Sequence, residues 1–384
     1  MSVSAVGISA TQTTAQERIL PRGLWLRDRR WDLLFITCSV LLVPIPYLFY
    51  LFGTQLGLTS DFSRNLVNGL VALLVGGPHM YATFMRTTFD RQFIGRYPML
   101  VRSAVIIPIV VLSLAFLNLT LLLAIFFFWA LIHVLHQATY IVELYNHRRN
   151  QQDGVNEDKQ IVKLLSKPSR LIDYAVIMTS MAPVAGYKIS QGEFNIGTND
   201  LMAVIPGFFQ QTWLFALLSL LFGIALVAYI YKTYQEYRGG YIHWPKTIFI
   251  SLTVLVSFFV PALPNLDTAF QGMNTWHSFQ YLVLTFYILK LREQRGELET
   301  SSRFISRMAR RQGTSGLYMT AASMLVASLV LGAVVYLLAW AVDPANAHSN
   351  QHFDSAYYSA VLCFLWIHYY YDHFLFTDFE AIDP

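Results

Sequence analysis

The sequence predicts an all-α, polytopic membrane helical bundle of about ten transmembrane helices. Three observations carry that expectation. The chain is 55% hydrophobic and 13% charged, about half the charged share of a soluble domain. Several apolar stretches exceed the roughly 18 residues that mark a spanning helix. The basic residues are confined to alternate loops. Lipid offers no water to backbone groups, so helices and closed barrels are the structures that span it. No run of short alternating strands suggests a barrel.

The spans follow in order from the charges that bound them. The first, 32–53, leaves a basic cluster that ends at Arg30, and the second, 66–85, runs from Arg64 to Arg86. The third, 98–116, leaves the loop between Arg86 and Arg102. The fourth, 119–145, returns to Arg148, and the fifth, 171–188, joins Arg170 to Lys188. The sixth, 204–230, ends before Lys232. The seventh, 247–264, starts after Lys246, and the eighth, 273–290, ends on Lys290. The ninth, 316–342, follows Arg311, and the tenth is 355–376. With the N-terminus inside, all 27 Lys and Arg residues except Arg64 and Lys188 fall on one side. That obeys the positive-inside rule and predicts both termini to be cytoplasmic. One span more or fewer would scatter the charges.

The expected organisation is therefore a largely disordered cytoplasmic segment over 1–31, a single integral-membrane domain over 32–376 and a short cytoplasmic tail over 377–384. The net charge of +4 comes from loops that orient the chain, with some attraction to anionic lipid, and implies no nucleic-acid partner. "SRFISRMARR" (302–311) reads as one such loop, with a segment lying on the membrane surface as the alternative. Cys38 and Cys363 both fall in spans and read as packing residues. The chain has no P-loop, GxGxxG, GxSxG or CxxC, which sets aside nucleotide-driven transport and standard dinucleotide binding.

The chemistry lies in the histidines. Of ten, His243, His348 and His352 read as loop residues, and His147 closes the fourth span. The other six, His79, His133, His136, His277, His368 and His373, lie inside predicted spans, where an ionisable side chain is costly and usually functional. At about 1.5 Å per residue, five of them fall within roughly 6 Å of the middle of their spans. "HVLHQATYIVELYNH" (133–147) continues a polar face through His136, Tyr140, Glu143 and His147. "WIHYYYDHFLF" (366–376) sets Asp372 one turn after His368, where a carboxylate orients an imidazole through its second nitrogen. "GGPHMYATFMR" (76–86) can break a helix ahead of His79, with Thr83 and Arg86 on the same face.

Imidazoles without thiolates suit iron, zinc or copper. Non-haem iron is the first expectation, because a lipid-buried site is open to apolar substrates and dissolved dioxygen. Zinc remains an alternative, with Glu143 as its general base. His79, His136, His277 and His368 are the leading ligands, with His133 and His373 next. Tyr140, Glu143, Gln280 and Asp372 are the supporting or proton-relay residues. Membrane desaturases carry HxxxH and HxxHH boxes, whereas here HxxH occurs once and HxxHH never. Six histidines also leave a two-metal centre open.

"GGPHMYATF" and "TWHSFQY" resemble the G-x-P-H and W-H-S-x-R-H segments of the bacterial Brp/Blh-type β-carotene dioxygenases, over about 15 residues in all. The resemblance implies a bacterial inner (cytoplasmic) membrane enzyme that holds non-haem iron through histidines and cleaves an apolar, carotenoid-like substrate with dioxygen. It carries over to His79 and His277. The chain departs from the pattern at Thr83, where the family has Asp, and at Tyr281, where it has a second His. Two other functions stay open from the residues themselves. One is a proton-coupled transporter using intramembrane His and Glu. The other is a haem protein with two histidine ligands.

Overall fold

The computed structural model describes residues 24–153, 167–196, 199–342 and 350–382. Of the segment 1–31 expected to be largely disordered, residues 1–23 lie outside them. From residue 24 the chain is packed: Leu26 is fully buried, its N–H donating to the Asp32 carboxylate at 2.8 Å. Trp25 and Leu26, inside the segment expected to be largely disordered, are thus buried.

The regular structure of the described chain is helical apart from one small hairpin, Asn195–Ile196 against Asn199–Asp200. In order, the helices are α1 (Arg29–Gln55), α2 (Ser60–Arg86), α3 (Pro98–Leu117), α4 (Leu119–Asp153), α5 (Lys167–Thr179), α6 (Ala182–Ser190), α7 (Thr212–Arg238), α8 (Trp244–Phe259), α9 (Leu266–Gln294), α10 (Arg303–Ser323), α11 (Leu325–Val342) and α12 (Asn350–Leu375). Among the described residues, seven helical units are long and apolar enough to cross a membrane: α1, α2, α3, α4, α7, α8 and the joined α10–α11.

The other three expected spans are helical too. The 171–188 stretch is divided between α5 and α6. Pro183 has no N–H to offer Thr179, and the chain tightens there, with Ser180 N–H bonding to Ile177 O at 3.2 Å. The 273–290 stretch lies inside α9. That helix buries Thr275, Trp276, His277, Ser278, Gln280, Tyr281 and Thr285. A helix wrapped by others need not be apolar, so its composition does not mark it as a lipid-facing span. The 355–376 stretch lies inside α12 up to Leu375, with Phe376 in the turn that follows.

Two further boundaries move. The sixth span was expected from 204, but α7 starts at Thr212, because Pro206 and Gly207 hold 205–211 in turns. The 302–311 stretch is not a loop but the start of α10. It buries Ile305 and Ser306 and exposes Arg303, Arg307, Arg310 and Arg311. Gly313, at φ 58°, kinks the helix just beyond.

Two irregular helices shape the centre. α1 opens with a π-turn over Asp32–Thr37 and tightens to a 3-10 turn over Cys38–Leu42. Pro44 cannot donate to Val40, so Val43 N–H takes that carbonyl at 3.0 Å. α2 carries a π-turn over Ala72–Gly76 ahead of Pro78. An α-helical residue 78 would have donated to Leu74 O; the Tyr318 hydroxyl of α10 donates there instead, at 2.7 Å.

Candidate metal centre

The π-turn of α2 is what presents His79. Its Nδ1 lies 3.1 Å from Gly76 O. A carbonyl only accepts, so the ring proton sits on Nδ1 and the Nε2 lone pair is left facing inward. Ser278 Oγ lies 3.1 Å from the same Nδ1. On α9, His277 turns its Nε2 to within 3.1 Å of His79 Nε2. Two nitrogens about 2.1 Å from one ion stand about 3.0–3.4 Å apart at octahedral or tetrahedral angles.

His133 of α4 and His368 of α12 complete the group. Among the described residues, the ligand nitrogens of His79, His133, His277 and His368 all lie within 4.8 Å of one another. None of the four residues is more than 4% exposed. His133 Nε2, His277 Nδ1 and His368 Nε2 are buried ring nitrogens with no hydrogen-bond partner, and Asp372 Oδ2 beside them has none either. Buried polar atoms are nearly always satisfied. Four orphans around four convergent imidazoles suit a cation. These four residues fit a metal, and the donor set is all nitrogen with a carboxylate alongside.

Supporting hydrogen bonds fix the rings. His368 Nδ1 donates to Thr83 Oγ1 at 2.5 Å, and Asp372 Oδ2 lies 3.4 Å from the same nitrogen. Asp372 Oδ1 accepts from the Tyr281 hydroxyl at 2.7 Å and from Thr83 at 3.1 Å. The Tyr281 and Thr83 oxygens are 2.6 Å apart. The two positions at which the chain departs from the resemblance thus touch one another, and a carboxylate from α12 joins them. Asp372 Oδ2 also stands 3.8 Å from His133 Nε2. Tyr369 stacks on the His133 ring with centroids 4.1 Å apart and shields that side.

Five of the expected site residues lie elsewhere. His136 is three residues beyond His133, which turns it about 60° around the helix. It faces His373, ring centroids 5.6 Å apart, outside the cluster. His133 therefore stands in the place expected for His136, beside His79, His277 and His368, while His136 and His373 lie outside the four. Tyr140 donates to Asp378 O at 3.0 Å and stacks on Phe376. Glu143, about 15 Å along the helix from His133, is held by Arg170 and Asn146. Gln280 points to α1, donating to Ile36 O at 2.8 Å and to Ser39 Oγ at 3.1 Å. It serves the carbonyl row that the π-turn disturbs. Of the four supporting residues expected, Asp372 alone reaches the cluster.

Of the remaining histidines, His243 caps α8, its Nδ1 accepting from Lys246 N–H. His352 lies within α12, not in a loop, and His348 lies outside the described residues. Sequence reasoning missed Ser278 and Phe376. Ser278 was signalled by its place after His277; Phe376, which stacks on His133 at 5.7 Å, had no signal. No protein-family model matches this chain, and neither a curated protein nor a solved structure matches it.

Proposed function

We propose that this protein is an integral-membrane, non-haem iron oxygenase acting on an apolar lipid or isoprenoid, carotenoid-like substrate. The observation that carries the reading is the convergence of four buried imidazoles from four helices, each with a ring nitrogen within 4.8 Å of one on the others, among which His133 Nε2 and His368 Nε2 have no hydrogen-bond partner. His79, His133, His277 and His368 would hold the ion, and the ion when bound would activate dioxygen toward the substrate. A six-coordinate metal with four nitrogen ligands keeps two positions free, whereas tetrahedral zinc would be filled. That favours iron.

The rest of the work falls to the protein. Gly76 O and Thr83 hold the His79 and His368 rings by their Nδ1 atoms, which directs Nε2 to the centre. Asp372 keeps Thr83 and Tyr281 in place and sets its other carboxyl oxygen beside the His368 and His133 imidazoles. Tyr281 holds a hydroxyl proton at the edge of the cluster, 2.7 Å from the carboxylate that would receive it. Tyr369 and Phe376 cover the His133 side and keep water out. The ten-span topology, with both termini cytoplasmic in a bacterial inner membrane, belongs to the same reading and rests on the distribution of Lys and Arg.

The haem alternative fits poorly, because four imidazole nitrogens within 4.8 Å leave no flat slot for a macrocycle. The transporter alternative loses Glu143, whose carboxylate is engaged by Arg170.

The test is metal content and an optical spectrum of the detergent-purified protein, wild type and His277→Ala. Near-stoichiometric iron without a Soret band, lost in the variant, is the expected result, and turnover of supplied carotenoids or lipids then follows. Folded protein without metal would overturn the reading.

A further inference from the structure

The outer histidines have a place in the molecule that the four-ligand centre does not use. His136 is half-buried and His373 is exposed. Their centroid separation of 5.6 Å is within reach of a shared ion, since an imidazole whose nitrogen is about 2.1 Å from an ion has its ring centroid about 3.2 Å from it. The chain beside them is polar and exposed at Thr377, Asp378 and Glu380, which puts His373 at the polar end of α12.

One ring lies between this pair and the inner four. Phe376 meets His136 edge-on at 5.2 Å and stacks on His133 at 5.7 Å, with Tyr281 6.3 Å away. It is 3% exposed. It sits at the end of α12, where the chain turns into a tail that is fastened at separate points. Tyr140 donates to Asp378 O, Arg86 pairs with the Asp378 carboxylate at 3.9 Å, and Arg295 donates to Ala381 O at 3.3 Å. The outer pair and the inner four are thus neighbours across a single aromatic ring just past the end of α12.

We propose that His136 and His373 form a loading site for the divalent metal of the inner centre, with Phe376 as the gate between them. The inference rests on the inner four histidines holding that metal. Transfer is a ligand exchange: the bonds to the His136 and His373 nitrogens break as those to His133 and its three partners form. The ion keeps its oxidation state and no further reactant is needed. The outer pair supplies local concentration, and the inner four supply affinity.

The experiment uses chelator-stripped full-length protein in detergent and Co(II), whose visible absorption reports filling of the inner site. Rates and final occupancy are followed in wild type, His136→Gln/His373→Gln, Phe376→Ala and His277→Gln, each shown to be monodisperse. The double variant reaches wild-type occupancy but fills at least about tenfold more slowly, the loss expected when a local concentration is removed. Phe376→Ala releases Co(II) to EDTA faster than wild type. A double variant that fills at the wild-type rate overturns the proposal, as does one that loses final occupancy, because His136 or His373 would then be an inner ligand. Release from Phe376→Ala at the wild-type rate overturns the gate. His277→Gln separates the two readings: if wild type fills and His277→Gln does not, the four-histidine centre stands whatever the double variant does. If wild type takes up no Co(II), both fall.

Discussion

At the scale of residues, the Asp372 carboxylate receives Tyr281 and Thr83 on one oxygen and turns the other toward His368 and His133. Asp372→Asn keeps the size but replaces an oxygen by an N–H donor that cannot face the His368 Nδ1 proton. We expect metal affinity to fall about 10–100-fold, as it does when a partner of a ligating histidine is removed. Chelator competition measures this, and unchanged affinity would show that the carboxylate is dispensable. The place of Asp372 was legible from its i, i+4 spacing to His368. The choice between His133 and His136 was not. Residues three apart share a helix face, and which one meets the centre depends on the direction in which the partner helices lie.

At the scale of elements, the bundle depends on two backbones that nearly touch. A Cβ at Gly272 of α9 would stand 2.0 Å from Val43 O of α1, at the point where the 3-10 turn gives way to Pro44. Gly272→Ala must push the helices apart, costing about 1–3 kcal/mol and loosening the anchors that Gln280 and Trp276 make to Ser39. Gly223→Ala in α7, where the added methyl meets nothing within 4 Å, should leave the melting temperature unchanged or raise it slightly. Equal effects of the two substitutions in a thermal melt in detergent would contradict this account. The prolines behind these irregular turns could be read from the sequence. The carbonyls they free, and the Tyr318 and Gln280 side chains that serve disturbed turns from 244 residues away, could not.

At the scale of the molecule, a second buried polar group ties four helices together at the end where most basic loops lie. Asp173 of α5 is fully buried and pairs with Lys232 of α7 and with Lys246 of α8, the latter at 3.1 Å. Lys246 also donates to Asn146 of α4 at 3.1 Å, and Glu143 pairs with Arg170 nearby. Asp173 is the carboxylate that Lys232 and Lys246 share, so removing it leaves the Lys246 ammonium buried without a counter-ion. Asp173→Asn should therefore destabilise the protein by about 3 kcal/mol, seen as a lower thermal midpoint with wild-type metal content. A loss of metal with unchanged stability would show instead that this group belongs to the metal centre. The sequence placed Lys246 and Arg170 in loops as orientation signals; their partners sit on other helices, and no spacing along one helix reveals such pairing.

The helical class was determined by composition, because lipid admits few ways to satisfy a backbone. Helix positions followed from apolar length and charge, with errors where proline and glycine hold apolar residues in turns. The value of the histidines was legible because an imidazole is costly in hydrocarbon. The tertiary structure alone decided that four of the six converge while two stand outside, that Thr83 and Tyr281 meet at Asp372, and that Glu143 and Gln280 serve other contacts. The physical reason is that depth along a helix follows from a fixed rise per residue, whereas direction around it acquires meaning only when neighbouring helices are in place.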